Sequence, residues 1–142
     1  MKINNFFNFE KKIVLITGCS GQIGFDMCNF FLELGSLVYG LDLKNIKKIK
    51  NKNFFFFKTD ITKEKNINNL IKKIFNSHKK IDVIINNAAR SYFSPFIKRT
   101  NNEIDNTLNT NIKGPINIIK QYYKFHKKYN SKRCSIINIG SI

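Results

Sequence analysis

The 142-residue sequence has no tryptophan, two prolines, seven glycines and three cysteines. So little glycine and proline excludes collagen-like and Pro/Gly-rich low-complexity chains. Cys19, Cys28 and Cys134 are odd in number and form no CxxC pair. That excludes a disulfide scaffold and fits a reduced, cytoplasmic protein. Long apolar runs are missing too: Phe54–Phe57 is as long as any, far short of the roughly 20 residues that cross a bilayer. No secretory signal is expected, because Glu10, Lys11 and Lys12 interrupt the N-terminus and no apolar stretch follows Lys2. Acidic residues are scarce, 9 against 25 basic, which leaves a net charge of +16.

That charge raises nucleic acid as a partner. The basic residues argue against it. They are scattered, mostly as pairs such as Lys47-Lys48, Lys72-Lys73 and Lys127-Lys128, with no Arg-rich block. With 22 Lys, 21 Asn and 23 Ile, the bias is of the kind that A/T-rich coding imposes on surface positions. A solvated basic surface is the expectation.

What is present is alternation. Lys12–Ile16 is short, aliphatic and β-branched, as a strand buried on both faces must be. Ile23, Met27, Phe30, Phe31 and Leu34 follow at helical spacing, and Gly35 ends that helix. Further strands are expected over Ser36–Asp42, Phe54–Phe57, Asp82–Asn86 and Ser135–Ile139. One or two helical turns fit between Lys44 and Asn53. A helix capped by Thr62 carries the stripe Ile67, Leu70, Ile71, Ile74 and Phe75. Another spans Asn101 to about Lys128, interrupted near Gly114-Pro115. Strands alternating with helices predict one α/β domain over residues 1–142, a doubly wound parallel sheet of about five strands, the Rossmann arrangement.

The chemistry lies in the loops. Thr17-Gly18-Cys19-Ser20-Gly21-Gln22-Ile23-Gly24 follows a strand and opens a helix. In that setting Gly18 permits a sharp turn, Gly21 lets the backbone approach a pyrophosphate, and Gly24 lets helix and strand pack closely. The helix N-terminus offers unpaired N–H groups to the phosphates, and the Ser20 hydroxyl adds a donor. Cys19 reads as a small loop residue, though a thiol near a helix N-terminus can be reactive. Asp42, at the end of the second strand, can accept bonds from ribose hydroxyls and would repel a 2′-phosphate, which favours NAD over NADP. Lys44 lies close enough to soften that repulsion. His78 and His126 sit among lysines with no ligand-spaced partners, so they read as solvated surface rather than as metal ligands.

These motifs resemble those of the short-chain dehydrogenase/reductase family over roughly Lys11 to Ile142. Asp60-Ile61 matches the pair that the family places beside the adenine, one through its carboxylate and one through its backbone. Asn86-Asn87-Ala88-Ala89 resembles the family's Asn-Asn-Ala-Gly, with Ala89 in place of the glycine; Asn87, Ala88 and Ala89 are thereby implied at the cofactor. Asn111 matches the helix asparagine whose backbone holds a water in a proton relay. Ser141 matches the serine that hydrogen-bonds the substrate carbonyl or hydroxyl. The resemblance implies hydride transfer between nicotinamide and a small alcohol or carbonyl compound, and a homo-oligomer for the full-length form. The Asn-Asn-Ala-Ala variant is similar to relatives that act on sugar derivatives. The family's Tyr-x-x-x-Lys acid/base pair falls after Ser141, beyond Ile142, and Tyr122 and Tyr123 lie too early to replace it. The chain is therefore expected to be the N-terminal portion of such an enzyme, inactive by itself. The alternative expectation is a non-catalytic dinucleotide-binding module.

Overall fold

The computed structural model describes residues 8–45 and 49–140. Strand β1 (Ile13–Thr17) leads into helix α1 (Gln22–Glu33), then β2 (Leu37–Asp42), β3 (Phe54–Lys58), α2 (Glu64–His78) and β4 (Val83–Asn86). A loop containing one 3-10 turn (Phe96–Lys98) follows. Next come α3 (Asn101–Leu108), a π-helical segment (Asn109–Lys113), α4 (Gly114–Tyr129) and β5 (Ser135–Asn138). The strands form one parallel sheet in the order β3-β2-β1-β4-β5.

The pleat sorts the core into two layers. Ile13 and Leu15 of β1 join Tyr39, Leu41 and Ile84 beneath α2 and α4. Val14 and Ile16 point the other way, with Val38, Val83 and Ile85, beneath α1. Every residue of β1 is buried, as its continuous apolar run requires. The α2 stripe Ile67-Leu70-Ile71-Ile74-Phe75 is buried throughout. Each such side chain contributes about 1.5–3 kcal/mol of transfer free energy. At the opposite edge from the loops that follow the strands, Asp82 accepts the Ile13 N–H at 2.8 Å and pairs with Lys80 at 2.8 Å. Burial alone would raise the Asp82 pKa, but the Ile13 N–H and the lysines beside it hold it low.

Several expectations are corrected. The buried face of α1 is Gly24, Cys28, Phe31 and Leu32, whereas Ile23 and Phe30 are exposed. Thr62 does not cap α2: its N–H and hydroxyl both bond to Asp60 Oδ1, and the helix begins two residues later. The interruption expected near Gly114-Pro115 is present, and its form is a π segment that ends at Lys113, with Pro115 in the first turn of α4. In the stretch 44–53, residues 46–48 lie outside the described residues and the others form no helix. Neither histidine is simply solvated. Tyr39 Oη lies 2.7 Å from His78 Nε2, and His126 Nδ1 lies 2.7 Å from Ser131 Oγ. No helix among the described residues is long and apolar enough to cross a membrane.

Candidate active site

The sheet changes direction between β1 and β4, because β2 and β3 lie to one side of β1 and β4 and β5 to the other. A crevice opens at the carboxyl ends of strands at such a point. Here it is a cavity of about 670 Å³.

The glycine loop forms its floor. Gly18 adopts φ +70°, and a side-chain carbon on it would lie 2.8 Å from Ala88 Cα. Only glycine meets both demands. A side chain on Gly24 would run into the Gly18 carbonyl oxygen. The third glycine therefore seats α1 on the loop itself, rather than on a strand as its spacing suggested. Gly21 is the N-cap of α1 and supplies no side-chain cap. The first N–H groups of the helix thus have no intrahelical acceptor, and no acidic residue in the first turn offsets the positive end of the dipole.

The neighbouring elements hold this loop. Asp42 Oδ2 accepts the Ser20 N–H and Oδ1 accepts the Lys44 N–H, both at 2.9 Å. Ser20 Oγ donates to the Lys44 carbonyl at 3.0 Å. On the other side, the Thr17 hydroxyl accepts the N–H groups of Asn87 and Ala88, each at 3.0 Å. Asn87 Nδ2 donates to the carbonyls of Thr17 and Gly18 at 3.0 and 3.2 Å. Asp60 is braced by Thr62, and the Ile61 carbonyl accepts from Asn117 Nδ2 at 3.0 Å. A hydrogen bond with Cys28 and burial push the Cys19 thiol far above its ordinary range. Its side chain is fully buried, in keeping with a small packed loop residue.

The structure brings the expected residues together. Gly18, the run Ser20–Gly24, Asp42, Asp60, Ile61 and Asn87–Ala89 all line this one cavity. Asn111 does not; its neighbour Thr110 does. The Asn111 amide instead grips the main chain of Arg90, with Oδ1 accepting the N–H at 2.8 Å and Nδ2 donating to the carbonyl at 3.1 Å. Ser141 lies outside the described residues. Tyr123 and Lys127 have the Tyr-x-x-x-Lys spacing, but the exposed Tyr123 stacks on His126 and meets the Lys127 ammonium 5.5 Å from its ring centroid, and neither residue lines the cavity. Sequence reasoning missed Thr17 as the clasp between β1 and β4, and Arg90, Ser91 and Thr110 on the cavity wall. The signal for Thr17 was a hydroxyl ending an otherwise aliphatic strand.

The sequence model of the family described as short chain dehydrogenase matches residues 12–142. The chain belongs to the short-chain dehydrogenase family. An uncharacterized oxidoreductase of Schizosaccharomyces pombe is 34% identical over 94% of this chain and 51% of its own length. A solved short chain dehydrogenase from Leptospira borgpetersenii with bound NAD+ is 31% identical, with a TM-score of 0.90 over 99% of this chain and 55% of its own. ElxO with NADP bound is 28% identical, with a TM-score of 0.81 over 92% of this chain and 56% of its own. The chain spans about half the length of the curated relatives it matches.

Proposed function

We propose that the cavity holds NAD(H) and that the chain is the dinucleotide-binding part of an oxidoreductase moving hydride between nicotinamide and an alcohol or carbonyl carbon. The observation that carries this reading is convergence. The glycine loop, Asp42, Asp60 and Asn87–Ala89 are far apart in sequence yet line one cavity at the sheet's switch point. The open N–H groups of α1 suit a pyrophosphate. Asp42 keeps lone pairs for ribose hydroxyls beyond the two it gives to backbone N–H groups, and its charge disfavours a 2′-phosphate. The NAD+-bound relative supports this preference, while NADP on ElxO makes that cofactor the competitor to test. When bound, the nicotinamide gives or takes the hydride; these residues bind and orient it. Three free thiols support a reducing, cytoplasmic setting.

Fluorescence titration with NADH and NADPH tests the reading. NADH should bind more tightly, and Asp42→Ala should narrow the gap by weakening NADH about tenfold. Tighter NADPH binding by the wild type would overturn the preference; binding of neither would overturn the reading. The second reading is a non-catalytic dinucleotide-binding module. It predicts NADH binding without turnover across ketones, aldehydes and sugar derivatives.

A further inference from the structure

The cavity wall beyond the Asn87–Ala89 stretch carries a cation that the dinucleotide reading does not use. Arg90 lines the cavity beside Ser91 and Thr110. Its main chain is fixed at both ends of the residue, because the Asn111 amide takes its N–H and its carbonyl. Its side chain is not committed in the same way. Among the described residues, no carboxylate lies within salt-bridge distance of the guanidinium, whose bond to Tyr92 Oη is long, at 3.4 Å. Arg99, later in the same loop, shows the contrast. Its guanidinium is consumed by the carbonyls of Tyr92 at 2.8 Å and Ser94 at 3.3 Å, so it closes the loop. The cavity's own carboxylates make no ion pair with Arg90 either. Asp42 is engaged by Ser20 and Lys44, and Asp60 by Thr62.

We propose that Arg90 reads an anionic group on the substrate, so that the pocket takes an acidic or phosphorylated oxo or hydroxy compound rather than a neutral alcohol. This rests on the hydride-transfer reading above. A planar guanidinium donates two parallel N–H bonds to a carboxylate or phosphate, and it remains charged at every working pH. A fixed backbone lowers the entropy lost when the side chain is held against a ligand. The net charge of +16 favours encounter of the protein with anions in general. The same phosphate-binding chemistry could be met by the cofactor's own pyrophosphate, and the test separates the two sources.

The protein is saturated with NADH and titrated with pyruvate, acetoacetate and their methyl esters, with circular dichroism confirming that each variant is folded. The acids should bind about tenfold or more tightly than the esters. That ratio should fall toward one in Arg90→Gln and be only partly kept in Arg90→Lys, whose ammonium keeps the charge but not the two parallel N–H bonds. A wild-type ratio near one, or a ratio that survives in Arg90→Gln, overturns the assignment. A loss confined to NADH affinity, with the ratio intact, gives Arg90 to the cofactor phosphates and overturns it too. Failure of the wild type to bind NADH at all overturns the cofactor reading, and the Arg90 assignment falls with it.

Discussion

Thr17 shows how much one hydroxyl can hold. It is buried at the end of β1 and accepts two main-chain N–H groups from the start of the loop after β4. Replacing it with valine keeps the shape but leaves both donors without a partner. Thr17→Val should therefore lower stability by about 1–3 kcal/mol, read as a shift in the urea midpoint, and weaken NADH binding as the Gly18 carbonyl loses its fixed neighbour. An unchanged midpoint would show that water replaces the hydroxyl. At this scale the sequence was legible where spacing encodes sterics. Gly18 and Gly24 sit where a side chain would collide. It was less legible where one residue serves two others across the sheet, since Thr17 meets Asn87 only because β1 and β4 are adjacent in space.

Strands and helices were readable wherever an apolar pattern is fully buried, as in β1 and α2. They were misread where burial is partial. Ile23 and Phe30 are apolar yet exposed, so the α1 periodicity overstated a buried face that does keep Phe31 and Met27. The π segment carries no composition signal: Asn109–Lys113 reads as ordinary helix, and the widening shows only in the Gly114 N–H reaching back five residues to the Asn109 carbonyl. Between elements, Tyr39 of β2 stacks on Phe55 and Phe57 of β3 and meets His78 at the end of α2. Burial, and then the Lys80 charge, lower the His78 pKa below its ordinary 6.5. The unfolded chain thus binds this proton more readily than the folded one. The contribution is whole above about pH 6.5 and is lost as pH falls below it toward the folded-state value. Urea midpoints should drop between pH 7.5 and 5.5, by less in His78→Phe; identical slopes would remove His78 from the effect.

Across the whole molecule, apolar surface is unevenly placed. Leu108, Ile112, Ile116 and Tyr123 are each more than half exposed along α3, the π segment and α4. Such surfaces favour association. Sedimentation should show concentration-dependent assembly in the tens of micromolar, reduced by Ile112→Lys with Ile116→Lys; a monomer throughout would contradict this. The Asp42 clasp on the glycine loop has a consequence in time as well as in affinity. The loop is already tied to the end of β2 before any ligand arrives, through the Ser20 and Lys44 N–H groups and the Ser20 hydroxyl. No slow ordering step then precedes encounter. In stopped flow the NADH signal should rise in a single phase whose rate grows linearly with concentration. A rate that levels off would mean that the clasp opens first, and cofactor exchange would then be timed by the protein rather than by diffusion.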